Sequence, residues 1–104
     1  MPLRSHHIQL DPQYQFKGYH LYLNKAIHHD GTTALQLVTE HGELFTTATT
    51  FFDYLNCPEG HVFIMDNDQN EGVLDYLVKC NVISKPVLFH AKKKGDVPLC
   101  KLLI

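Results

Sequence analysis

From Thr33 the chain reads Thr33-Ala34-Leu35-Gln36-Leu37-Val38-Thr39-Glu40-His41-Gly42-Glu43-Leu44-Phe45-Thr46-Thr47-Ala48-Thr49-Thr50. Two runs rich in Thr, Leu, Val and Phe flank a Glu-His-Gly-Glu joint, which is the pattern of a strand, a turn and a strand. A loop of His41-Gly42 alone would set Glu40 directly opposite Glu43, where like charges repel. A three-residue loop, Glu40-His41-Gly42 with Gly42 in the left-handed conformation, avoids that repulsion and is the expected joint. N-terminal to it, Tyr19, Leu21 and Leu23 alternate with His20, Tyr22 and Asn24 as on a half-buried strand, and His28-His29-Asp30-Gly31 supplies turn chemistry. Residues 1–13 hold two prolines and two adjacent histidines without periodicity, and read as an arm or irregular edge before a single domain over 14–104.

C-terminal to the hairpin, Phe51 to Gly60 has no period but carries Phe51, Phe52, Tyr54 and Leu55, the marks of a packed connection or short helical turn. His61 to Met65 is a short strand running into Asp66-Asn67-Asp68-Gln69-Asn70. Asn70 is the expected helix N-cap, with Val73, Leu74, Leu77 and Val78 on one helical face, Lys79 in the last turn and Asn81 as left-handed stop. Val87 to Ala91 and Val97 to Ile104 read as strands about a Lys92-Lys93-Lys94-Gly95 turn. The sum is an α+β fold: a small, mostly antiparallel sheet of five or six strands with one main helix packed on one face. The other face is left to water, to barrel closure or to a partner, a second copy included.

The 104 residues are 44% hydrophobic and 19% charged, which fits one small core and excludes wholesale disorder. No apolar run reaches the roughly 18 residues that span a bilayer, and no leader pattern is evident. Three scattered cysteines, Cys57, Cys80 and Cys100, suit a reducing compartment better than a disulfide framework. Eight histidines raise the question of metal, but Cys57-Pro58-Glu59-Gly60-His61 is the nearest approach to paired ligands, and no second pair follows. Asp66 to Gly72 begins like a calcium loop, yet its glycine is one position late and Leu77 stands where a bidentate Glu belongs. Cys57 and His61 would make a nucleophile and base only if folding brought their side chains together, and no phosphate loop or nucleophile elbow is present. The expectation is therefore no enzyme and no cofactor.

Charge is the stronger lead. Residues 1 to 78 carry three basic and ten acidic groups, a sum of −7, while residues 79 to 104 carry six Lys and one Asp, a sum of +5. No Lys or Arg stands between Lys25 and Lys79, an interval that holds His28, His29, His41 and His61, so mild acidification is expected to weaken its negative field. The C-terminal lysines include no arginine, the preferred reader of bases and phosphates, and direct nucleic-acid binding is not expected.

Ala34 to Glu43, the Val62–Asn70 run with its strand leading into an Asp/Asn turn, Gly72-Val73-Leu74-Asp75-Tyr76-Leu77 and Asn81-Val82-Ile83-Ser84-Lys85-Pro86 resemble an uncharacterised family of small proteins from phages, plasmids and conjugative elements, classed as a domain of unknown function. Glu71 stands where those proteins typically have Pro. The resemblance implies a setting, in which small proteins of mobile elements bind and disable host defence machines such as CRISPR effectors. It leads to the expectation of an anti-CRISPR inhibitor in the host cytoplasm, acting on a host defence protein by contact and without a membrane. An acidic surface of Glu40, Glu43, Asp66, Asp68 and Glu71 would make that contact. The alternative is a small metal- or nucleic-acid-binding accessory protein that uses the histidines or the C-terminal lysines.

Overall fold

Ala48 is where the architecture turns. Its N–H donates to the Leu35 carbonyl at 2.8 Å, and its own carbonyl accepts from the Met65 N–H at 2.8 Å, so one residue is hydrogen-bonded to two different sheets. A computed structural model of the chain describes residues 6–52, 57–92 and 95–104, with 91, 92 and 95 as backbone only. The expected residues Asp53, Tyr54, Leu55, Lys93 and Lys94, and the first five of the chain, lie outside that description.

The strands are β1 (Ile8–Gln9), β2 (Tyr22–Ile27), β3 (Thr33–Val38), β4 (Leu44–Thr47), β5 (Thr49–Thr50), β6 (His61–Ile64), β7 (Ile83–Lys92) and β8 (Gly95–Leu102), with one helix, α1 (Val73–Lys79), between β6 and β7. The α+β class stands. The reading of one sheet of five or six strands is corrected: the eight strands among the described residues form two four-stranded antiparallel sheets, ordered β1-β2-β3-β4 and β5-β6-β8-β7. The extended run expected from Glu43 to Thr50 breaks at Ala48, and its two halves pair with β3 and with β6. A strand that bends from one sheet into the next lets a short chain fold two sheets over a single core.

That core takes Leu23, Leu35 and Leu37 from the first sheet, Val62, Ile64, Ile83 and Cys100 from the second, and Val73, Tyr76 and Leu77 from α1. The outer side of the second sheet carries a smaller cluster in which Phe52 packs edge-on to Phe63, ring centroids 5.0 Å apart, beside Leu99. Phe52, just after β5, thus covers part of the face that the sequence leaves open. On the outer side of the first sheet Asn24 donates across the β2–β3 pair to Gln36 at 2.9 Å, between the Tyr22–Val38 and Ala26–Ala34 pairs.

Local chemistry explains the joints. Thr39 N–H donates to the Glu43 carbonyl at 2.8 Å and Gly42 has φ +84°, the three-residue loop that charge repulsion favours. Asn81 is left-handed at φ +60°, ending α1. Two readings are corrected. Tyr19 is half exposed at 51%, because a tight turn with Lys17 at φ +52° and Gly18 at φ +84° resets the strand phase, and regular pairing of β2 starts only at Tyr22. Asn70 is not the N-cap of α1: it ends a 3₁₀ turn over Asp68–Asn70, and Gly72, at φ +94°, occupies the cap position. N-terminal to that, Leu10 is buried in the core and β1 pairs with β2.

Candidate functional site

Phe16 and Tyr19 exchange two backbone hydrogen bonds of 3.0 Å across Lys17-Gly18, so this two-residue turn stands as a rigid knuckle on the surface. A cleft lies on either side of it. The first, about 540 Å³, is lined by Tyr19, His20, Glu40, His41, Glu43 and Phe45. The Tyr19 and Phe45 rings are 5.0 Å apart between centroids, and Phe45 also meets Phe16 at 6.1 Å. The second, about 380 Å³, is lined by Tyr14, Phe16, Lys17, Glu71, Asp75 and Lys79. Phe16, buried, lines this second cleft, with its ring 5.7 Å from that of Tyr76.

The five expected acidic contacts therefore fall into two groups with different duties. Glu40 and Glu43 rim the first cleft together, both exposed. Oε1 of Glu40 lies 3.5 Å from Nε2 of His41, and such an exposed pair adds little to stability. Glu71 is exposed and lines the second cleft, beside Asp75, whose carboxylate pairs with Lys79 at 3.0 Å. Asp68 is exposed and lines neither cleft. Asp66 is half buried, and its Oδ1 accepts from the N–H groups of Gly72 and Leu74 at 3.0 and 3.1 Å, so it caps α1 from across the loop.

Asn70 ties the two groups to one scaffold. Its side chain, 2% exposed, accepts from the Thr46 hydroxyl at 2.6 Å and donates to the Thr47 carbonyl at 2.9 Å, which pins the acidic turn to β4. Glu43 precedes the other end of β4, about 13 Å away at a strand's rise per residue. Tyr19, His20, Phe45 and the Lys17-Gly18 turn escape the sequence reading. A Lys-Gly pair between two aromatics is the one local signal that would have found the turn, and it lacks the Asn or Asp that usually marks such turns.

The other candidate chemistry is dispersed. The Cys57 thiol donates to the carbonyl of His61 at 3.2 Å, while Nδ1 of His61 donates to the carbonyl of Glu59 at 2.9 Å, so each side chain is bonded to backbone and not to the other. Burial pushes the thiols of Cys57 and Cys80 up, and burial with the nearby Asp66 charge takes Cys100 to about 11, which leaves all three poor nucleophiles. Among the described residues no three His, Cys, Asp or Glu side chains converge as metal ligands. Nor is any helix among them long and apolar enough to cross a membrane. No protein-family model matches the chain, and no curated protein or solved structure matches it either.

Proposed function

We propose that the chain is an anti-defence inhibitor carried by a mobile element, an anti-CRISPR protein that occupies a basic groove of a nuclease or effector in the host cytoplasm and blocks it by contact. The observation that carries this reading is the first cleft, where Glu40 and Glu43 share a concave surface with the rings of Tyr19 and Phe45. Carboxylates beside aromatic faces suit the lysine and arginine side chains that line a nucleic-acid channel, through ion pairs and through attraction of the cation to the ring. The −7 charge of residues 1 to 78 speeds encounter with such a channel. The second cleft, across the Lys17-Gly18 knuckle, is balanced in charge, Glu71 and Asp75 standing with Lys17 and Lys79, so the contact is centred on the first. Asp66 serves the fold rather than the contact.

The test is inhibition of purified RNA-guided effectors and restriction nucleases on labelled target DNA, with the chain in excess. At least one enzyme is expected to be blocked, and Glu40→Lys with Glu43→Lys to raise the concentration needed by about tenfold or more, the loss typical of reversed charges at an interface. Asp66 is left intact in that variant because its replacement would loosen α1 as well. Unchanged potency of the double variant would sink the acidic-surface mechanism. Stoichiometric zinc in the purified protein, or salt-dependent binding to bare DNA, would move the assignment to an accessory binding protein.

A further inference from the structure

We propose that the free edge of β7 is a docking site for an extended segment of a partner protein, apolar at its centre and acidic at both ends, which adds to the second sheet as a further strand. This site lies apart from both clefts and does not depend on their function.

The backbone supplies the first part of the argument. β7 ends the order β5-β6-β8-β7, and at ten residues it is the longest strand among those described. Edges of this length are normally guarded by proline, bulges or charge. Here the guards stand in the first half, where the pairing with β8 shifts register between Ile83 and Pro86 and again between Pro86 and Leu88. Ser84 fills the first irregularity, its hydroxyl accepting from the Lys101 N–H at 2.9 Å and donating to the Lys85 carbonyl at 2.8 Å. From Leu88 to Lys92 the pairing with Gly95–Leu99 is regular, residue for residue. Phe89 lies opposite Pro98. Proline, without an N–H, fits an antiparallel pair whose backbone groups point away from each other, so the N–H and C=O of Phe89 face outward from the sheet.

Side chains supply the second part. Val87, Leu88 and Phe89 are 55%, 52% and 56% exposed, three apolar residues in succession on the outermost strand. Leu88 and Phe89, in the regular part of the strand, point to opposite faces, so no single covering layer on one face could bury all three. A strand laid along the edge brings neighbours on both faces, through its own alternating side chains.

Charge then selects the occupant. Lys85 and Lys101 are exposed beside the apolar triplet, Lys92, Lys93 and Lys94 follow it in sequence, and no Asp or Glu occurs between Asp75 and Asp96. A second copy paired antiparallel through the same triplet would lay one lysine-bearing strand against another, which opposes self-pairing. A nucleic acid would satisfy the lysines but leave the outward backbone groups of the strand without a ladder. A peptide strand with carboxylates at its ends answers both the ladder and the charge.

The probe is the fluorescein-labelled peptide Glu-Glu-Val-Thr-Val-Thr-Val-Thr-Glu-Glu, titrated with the full chain by anisotropy. It is compared with the same peptide ending in Lys-Lys and with single-stranded oligothymidylate. The acidic-ended peptide is expected to bind about tenfold or more tighter than either, and to slow hydrogen exchange at the Phe89 amide, the signature of strand addition. Lys85→Glu with Lys101→Glu, both at exposed positions, is expected to abolish that preference with the circular dichroism spectrum unchanged. Phe89→Pro, which removes the outward N–H, is expected to weaken binding while leaving the charge intact. Equal binding of the two peptides, tighter binding of oligothymidylate, an unprotected Phe89 amide, or a dimer of the chain that Phe89→Lys dissolves would each overturn the proposal.

Discussion

A buried amide such as that of Asn70 is tolerated only when both ends are satisfied, and here Thr46 and Thr47 satisfy them. Asn70→Leu would remove both bonds and leave the Thr46 hydroxyl and the Thr47 carbonyl without their partner. A loss of about 2–4 kcal/mol is expected by urea denaturation. Asn70 looked like a cap because Asn at the head of an apolar helical run normally is one; its buried role depends on β4, far away in sequence. His28 carries a second prediction. Its Nε2 lies 2.7 Å from the Thr49 hydroxyl, which also accepts from the Leu35 N–H at 3.1 Å. Burial lowers the pKa of His28, against the smaller opposite pull of Asp30. The folded value lies below the unfolded one, so the unfolded chain binds more protons between them. The stabilisation is full above the unfolded value, about 6.5, and is lost as pH falls through the folded one. Urea midpoints measured at pH 7.5 and 5.5 are expected to fall more for the native chain than for His28→Gln; equal falls would remove His28 as the cause.

Among the elements, hairpins were legible and the approach to the helix was not. The β3–β4 loop follows from the repulsion of Glu40 and Glu43 and the freedom of Gly42, all within a few residues. The strands of the 33–50, 61–65 and 87–104 runs follow from alternation and β-branched content, although the 33–50 run feeds two sheets, β7 begins at Ile83, four residues before the expected Val87, and β8 begins at Gly95, inside the expected turn. The helix is only seven residues long, short enough that its cap matters. Asp66→Ala would withdraw the acceptor for two N–H groups of the first turn, at an expected cost of about 1 kcal/mol. Faster hydrogen exchange at Gly72 and Leu74 would locate the loss there, and unchanged exchange would show that Asp66 caps nothing. The candidate site divides the same way. Its carboxylates could be named from charge, whereas Tyr19 meets Phe45 of β4 only because the Lys17-Gly18 turn reverses the chain ahead of β2.

Across the full fold, Ala48 shows most sharply what packing demands. Its strand neighbours are threonines, and a β-branched residue there would suit the strand locally. Ala48 is fully buried where two sheets meet, however, so Ala48→Val is expected to cost about 1–3 kcal/mol through overpacking. A neutral or stabilising result by thermal or urea unfolding would mean that the junction is loosely packed. The charge asymmetry acts over similar distances. The inhibition proposed for the Glu40–Glu43 cleft is expected to weaken as salt rises from about 0.05 to 0.3 M, because the screening length shortens across that range. Potency independent of salt would argue against a field-driven contact.

Period, turn chemistry and charge act over a few residues. They account for the strand runs, the Gly42 loop, the Asn81 stop and the division of the chain into an acidic part and a lysine-bearing end. Which sheet each strand joins, the capping of α1 by Asp66, the burial of Asn70 and the exposure of the β7 edge follow from contacts between segments far apart in the chain. The hydrogen bonds of Ala48 make the reason concrete: its N–H and C=O find partners at Leu35 and Met65, and nothing in the residues beside Ala48 specifies either one.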